Sequence, residues 1–440
     1  MTAPPSEPPR SVLVLGAYGL VGAGIVRHLV AQGCRVIGLG RQAATAKRVL
    51  PNLDWIIRDL ATLQRSAQWR PLLAGIDLVV NCAGALQEGP GDDLAALHQG
   101  AIAALAEACA ASGCGLVQIS AVGATPDATT AFLRTKALGD QAIREAGVAY
   151  WIFRPGLVLA PEAYGGSALL RLLAAVPLVQ PLACRDARIQ TVALGDLAEA
   201  VLAAVQGEIP DGSDCDLVEE QSHSLGEVIA AQRRWLGFAT ARRAVLLPAW
   251  CLSIVARCAD LLGRLGWRSP LRSTAIAVLS AGVVGDPAGW RRLGRRPLSG
   301  LSETLAALPA RAEDRLAARM ALLMAPLLAT LFLFWFLSGL VGLLRIETAA
   351  QVLETAGWSR GPAQASVAVW SLVDLLIAGA LLFRRSAAAA CWAMVGVSLV
   401  YLLAATLFVP ALWLDPLGPL VKVLPGLLLA LVALVLLERR

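Results

Sequence analysis

A chain of 440 residues has room for roughly two or three domains. Hydrophobic residues make up 57% and charged residues 16%, against roughly 45 to 50% and about 25% in soluble domains, which excludes a purely water-soluble globule. The net charge of +6 comes from dispersed arginines without interleaved aromatics or a base-reading motif, which excludes nucleic acid as a partner.

Residues 1–10, MTAPPSEPPR, form a disordered Pro-rich tail without the apolar core of a signal peptide, so the N-terminus is expected to stay in the cytoplasm. From Ser11 short β-branched runs alternate with helical stretches: SVLVLG, a helix to about Gln32, RVIGLGR, DWIIRDL, DLVVNCAG, an Ala-rich helix, GLVQIS and VAYWIFRPG. Strands that alternate with helices and are apolar along their whole length predict an α/β fold, a doubly wound parallel Rossmann sheet. The pattern continues through TVALGDLAEAVLAAV and CDLVEEQSHSLGEV, where Ser224 is a candidate N-cap, so the domain is expected over 11–245.

Residues 246–318 read as short helices broken by Gly and Pro, a linker or substrate-lid region. In LPAWCLSIVARCADLLGRLGW, Arg257 and Asp260 interrupt the apolar run, which suits a surface, interfacial or lid helix better than a span. Residues 319–440 are expected to form an all-α four-helix transmembrane bundle, with spans at about 320–344, 363–383, 387–409 and 418–437; from 320 onward there are only seven Lys/Arg and five Asp/Glu. Arg291, Arg292, Arg295 and Arg296 read as a positive flank of that region. Arg311, Arg315 and Arg319 precede the first span, Arg384 and Arg385 separate the second from the third, and Arg439 and Arg440 end the chain. The opposite side carries Arg345, Arg360 and the snorkelling Lys422. Both termini and the α/β domain are therefore expected on the cytoplasmic face of a bacterial-type inner membrane.

The chemistry starts at LGAYGLVGAGIV. Gly16, Gly19 and Gly22 follow an apolar strand and open a helix; the first permits the tight turn, the second lets backbone approach a pyrophosphate, and the third lets helix and strand pack. The whole turn, Gly16, Ala17, Tyr18, Gly19, Leu20, Val21 and Gly22, is assigned to a nicotinamide dinucleotide, with Tyr18 as a pocket wall. An NAD-specific site would carry an acid at the end of RVIGLGR, where this chain has Gly40 and Arg41. An arginine there can pair with a 2′-phosphate, so NADP(H) is favoured and NAD(H) remains the alternative. Asp59 and Leu60 after the third strand, at an adenine edge, and Asn81 through Cys82, Ala83 and Gly84 after the fourth complete the pocket. His28, His98 and His223 lack ligand spacing, and no metal is predicted. The nine cysteines, Cys34, Cys82 and Cys251 among them, have no CxxC pair and read as reduced thiols.

GAYGLVG, the Asp59 pair, NCAG, QIS at Ser120, TK at Lys136 and RPGLVLAPE from Arg154 resemble an atypical or extended short-chain dehydrogenase/reductase over about 11–240, nearest the NmrA-like proteins and the accessory nucleotide-binding subunit of respiratory complex I. That resemblance adds Pro155 and Gly156 to the cofactor residues. It implies Lys136 and Ser120 as catalytic candidates that also contact the cofactor. The family's tyrosine, four residues before its lysine, is Phe132 here, and a phenyl ring cannot transfer a proton. The C-terminal portion is similar to the DoxX-like four-helix family through FLFWFLSGLVGLLR and the span holding Asp374. Asp374 has two open readings: proton handling or contact with a quinone-like head group, and a structural hydrogen bond to Ser338, Ser371 or Tyr401.

Two functions follow as expectations. One is a membrane-anchored NADP(H)-dependent oxidoreductase acting on a lipid- or quinone-like substrate. The other is a non-catalytic NADP(H)-binding sensor or assembly subunit of a membrane protein complex.

Overall fold

The computed structural model describes residues 10–89, 92–184, 187–267, 269–416 and 418–438. Strands β1 (Ser11–Leu15), β2 (Arg35–Gly40), β3 (Asp54–Ile57), β4 (Leu78–Asn81), β5 (Gly115–Ile119), β6 (Tyr150–Pro155) and β7 (Ser213–Leu217) form a seven-stranded sheet in the order β7-β6-β5-β4-β1-β2-β3. Every pair in it is parallel. Successive side chains point to opposite faces, and both faces are covered. Val12 and Val14 enter one core with Ile25 and Leu29 of helix α1 (Leu20–Ala31). Leu13 and Leu15 enter the other with Ile102 and Leu105 of helix α2 (Ala101–Ser112) and Ile143 of helix α3 (Ala131–Glu145). Helix α4 (Leu194–Val205) completes the first face through Leu197 and Val201. The expected α/β class stands. The strand order reverses between β1 and β4, which opens a crevice beyond their carboxyl ends.

The first compact unit takes the chain to residue 260 and then 269–315, so it runs past the boundary expected at 245. Its physical basis is burial: Trp290 is 6% exposed and meets Phe153 edge-on at 6.3 Å, and Leu301 N–H donates to the buried Glu219 Oε2 at 2.7 Å. Ser224 caps the helix Leu225–Trp235 as expected, accepting from Glu227 N–H at 3.2 Å. Helix α5 (Ala249–Arg264) follows.

The second unit, residues 261–268 and 316–440, is helical. Helices α6 (Ala312–Leu344), α8 (Arg360–Leu382) and α9 (Ala387–Phe408) are long and apolar enough to cross a membrane; between the first two lies α7 (Ile346–Thr355). Only 17%, 28% and 22% of their apolar windows are buried, so most of that surface needs lipid around it. The fourth expected span, 418–437, is shorter: helix α10 (Val423–Glu438) has 16 residues, and the turn before it uses up the preceding positions. Small residues line the contacts, with Ala378, Ala390, Ala430 and Ala433 all nearly unexposed. A Cβ on Gly342 would lie 2.2 Å from Ser371 Oγ, which shows how closely α6 and α8 approach. Asp374, 3% exposed, accepts hydrogen bonds from Ser338 Oγ at 2.8 Å and Tyr401 Oη at 3.2 Å, two of the three partners expected from the sequence.

Candidate functional site

Beyond β1 the chain turns on Gly16 at φ +67°, and Gly16 N–H donates to Leu39 O at 2.9 Å. A Cβ at Gly16 would lie 2.8 Å from Ala83 Cα, and one at Gly22 would lie 2.3 Å from Gly16 O. The strand, the turn and the helix can meet only without those side chains. Gly19 is the N-cap of α1, with no side-chain cap and no acid in the first turn, so the helix start keeps its positive end for an anion. Ala17 is buried, and Leu20 and Val21 are half-buried beside the turn. Tyr18 lies where a Gly40 Cβ would be, packs on Trp55 with ring centroids 5.9 Å apart, and accepts from Arg41 N–H at 3.3 Å. It walls off the end of β2. Arg41 Nη2 pairs with Asp92 Oδ1 at 2.8 Å.

Asp59 Oδ1 accepts from Ala61 N–H at 3.1 Å and caps a short turn, whereas the Leu60 side chain is packed in the core with Leu63 and Trp69. Only the backbone of Leu60 is left to meet a ligand. Pro155 ends β6 and Gly156 follows it: Val122 N–H donates to Pro155 O at 3.3 Å, Gly156 N–H donates to Leu217 O at 3.0 Å, and a Gly156 Cβ would sit 2.5 Å from Gln190 O. These bonds tie them to β7 and to the segment after β5, not to the glycine turn.

Lys136, 5% exposed, donates to Ile119 O at 2.9 Å and Ala83 O at 3.4 Å, so its ammonium sits at the ends of β5 and β4. Burial lowers its pKa, opposed by Asp140 and Cys82. Burial likewise pushes the Cys82 thiol up to about 12, which removes it as a neutral-pH nucleophile. A Cβ on Gly84 would be 3.4 Å from Lys136 Nζ. Ser120 donates to Asp140 Oδ2 at 2.5 Å, Gln118 Nε2 donates to Asp140 Oδ1 at 3.3 Å, and Asn81 Nδ2 donates to Gln118 Oε1 at 2.8 Å. Burial raises the pKa of Asp140, against the pull of Ser120 and Lys136. Phe132, one turn before Lys136, meets His98 edge-on at 5.8 Å.

Residues 16–172 match the NAD(P)H-binding family and residues 332–431 the DoxX-like family. The chain joins an NAD(P)H-binding Rossmann domain to a DoxX-like helical domain. Ceramide reductase of Caulobacter vibrioides is 25% identical over 194 residues, 44% of this chain; the match spans 60% of that relative's length. Bordetella bronchiseptica WbmH, solved with NAD+, aligns with a TM-score of 0.51 at 18% identity over 68% of this chain and 96% of its own. Escherichia coli NADPH-dependent quinone oxidoreductase QOR2, solved with NADPH, aligns at 0.50 and 16% identity over 67% and 98%. At these identities the likeness is one of fold.

In the NAD(P)H-binding domain the glycine turn fits a dinucleotide: a Cβ would fill the space where backbone must approach, and the helix start has no acid of its own. The reading of the sequence assigns Asp140 no place in the site and takes His98 only as a histidine without ligand spacing. Asp140 did leave a signal, since it follows Lys136 by four positions and so shares its helix face. His98 left none, because its partners Ala85 and Thr135 come from separate segments.

Proposed function

We propose that the chain is a membrane-anchored NADP(H)-dependent oxidoreductase of the short-chain dehydrogenase type, acting on a lipid- or quinone-like carbonyl. The observation that carries this is the Ala83 backbone, with the Gly16 turn against one side and Lys136 Nζ on its carbonyl at 3.4 Å. The nucleotide cradle and the lysine thus open onto one crevice. The ceramide reductase relative supports a lipid substrate, and the apolar helices support one reached from a bilayer.

The bound nicotinamide supplies a hydride. In this reading Gly16, Gly19 and Gly22 hold the pyrophosphate and Lys136 the ribose, while Tyr18, Asp59, Leu60 backbone and Cys82 to Gly84 line the pocket. Arg41 exchanges Asp92 for the 2′-phosphate, which favours NADP(H) over NAD(H). The proton for the reduced carbonyl cannot come from Phe132. Ser120 Oγ, 2.5 Å from Asp140 Oδ2, is the donor in its place when Asp140 is protonated, the form its burial favours: Ser120 gives its proton to the carbonyl oxygen and takes the one on Asp140, which is left as the carboxylate. Pro155 and Gly156 shape the rim.

Phe132 favours a second reading, a non-catalytic NADP(H)-binding sensor or assembly subunit of a membrane complex, because no ionisable group stands at that position. For both readings we place the protein in a bacterial-type inner membrane with both termini cytoplasmic, since crossings by α6 and α8 put Arg384 and Arg385 on the side of the α/β domain, and a fourth crossing by α10, about 24 Å long, returns the C-terminus to it.

The test is titration of detergent-purified full-length protein with NADPH and NADH, followed by a turnover screen with a long-chain ketolipid and a quinone. Tight NADPH binding with turnover that Lys136→Ala abolishes supports the enzyme. Binding without turnover by any such carbonyl supports the sensor, and no binding of either dinucleotide defeats both readings.

A further inference from the structure

Helix α5 has three sectors when its residues are laid out at 3.6 per turn. Leu252, Ala256, Ala259 and Gly263 face inward, Ala256 and Ala259 being 8% and 6% exposed. Ser253, Arg257, Asp260 and Arg264 form a polar edge, where Arg272 Nε donates to Asp260 Oδ1 at 3.1 Å. The remaining arc, about 140° wide, is apolar and turned outward. It carries Trp250 at 66%, Ile254 at 52% and Leu261 at 58% exposure, with Val255 and Leu262 beside them. Small residues inward and bulky ones outward is the reverse of a helix whose only apolar contact is its own protein.

Two further observations say what covers that arc. The chain just after α5 is fastened to the end of a membrane helix: Trp267 Nε1–H donates to Leu382 O at 2.6 Å, and Arg384 N–H donates to Leu265 O at 3.0 Å. Residues 382–384 are where the chain turns between α8 and α9, the depth at which an indole and an arginine suit the headgroup layer. The flank of the arc is also cationic, with exposed Arg257 and Arg264 on the helix and exposed Arg242 and Arg243 ahead of it. These charges complement anionic lipid headgroups.

We propose that α5 lies in the interfacial layer of the bilayer, its apolar arc among acyl chains and Arg257 and Arg264 against anionic headgroups. The inference rests on the reading of α6, α8 and α9 as membrane spans.

The experiment uses the full-length protein with a photoreactive benzophenone residue in place of Ile254, reconstituted into vesicles of phosphatidylcholine and phosphatidylglycerol. After illumination, lipid adducts are read by mass spectrometry. The same residue at Leu403, 62% exposed on α9, is the control for a position inside the bilayer. Lipid adducts at both 254 and 403, with little at the inward Leu252, are expected. Combining Arg257→Glu with Arg264→Glu should lower the adduct at 254 at least about fivefold; an unchanged yield overturns the role of anionic lipid. Adducts at 403 but not at 254 overturn the inference while the membrane reading stands. A crosslink between two copies at 254 overturns it in favour of self-association. No lipid adduct at either position defeats the membrane reading itself.

Discussion

His98 carries its proton on Nδ1. Ala85 N–H donates to Nε2 at 3.2 Å, which must therefore be bare, and Nδ1 faces Thr135 Oγ1 at 2.9 Å. The ring is 1% exposed, and burial first, then Lys136, lowers its pKa from 6.5 to about 2. A depressed pKa means the unfolded chain takes the proton more readily. The stability it contributes is complete above pH 6.5 and is lost as pH falls toward the folded value near 2. Between pH 6.5 and about 5 the loss should reach about 2 kcal/mol, seen as a falling unfolding midpoint of the first unit, and His98→Asn should flatten that slope. A wild-type midpoint unchanged over that range would count against the neutral, buried imidazole.

Arg41 and Asp140 give two more tests at this scale. Losing a charge-assisted pair costs about 1.5 to 3 kcal/mol, so Arg41→Asp should move the NADPH to NADH affinity ratio toward NADH by roughly 10- to 100-fold. Equilibrium titration of both dinucleotides measures it, and an unmoved ratio removes the arginine's proposed role. Asp140→Asn keeps the shape but cannot return a proton to Ser120. It should lower kcat at least about tenfold with cofactor affinity nearly unchanged. Equal losses in turnover and binding would instead make Asp140 a packing group.

At the scale of the element, the β1–α1 turn is specified by what it omits. Gly22→Ala would put a Cβ 2.3 Å from Gly16 O, so the helix start must move off the strand end. Dinucleotide affinity should drop by at least about tenfold, read by fluorescence titration, because phosphate binding depends on backbone donors held in place. In the membrane unit, Asp374→Leu would strand Ser338 and Tyr401, whose hydroxyls both donate to Asp374. A loss of about 1 to 2 kcal/mol in detergent-solubilised stability is expected, and Asp374→Asn should recover most of it. If the asparagine variant matched the leucine variant, charge rather than hydrogen bonding would be the relevant property.

For the whole molecule, the glycine spacing, the two-faced apolar strands and the four apolar stretches were enough to read an NAD(P)H-binding sheet followed by membrane helices. Each is a local rule, a turn that needs glycine or a run that cannot face water, so it is written within a few adjacent residues. The folding back of 269–315 onto the first unit, the shortness of α10 and the inward Leu60 side chain were not legible, since each depends on which distant surface is left to cover. The same holds for the buried line from Asn81 through Gln118 and Asp140 to Ser120, drawn from β4, β5 and α3. Phe132 shows both halves. The sequence alone determined that no tyrosine proton is available there. Only the tertiary structure put a carboxyl group beside Ser120 and a neutral histidine beside the phenyl ring, because burial and partner choice belong to the packed chain and not to its order.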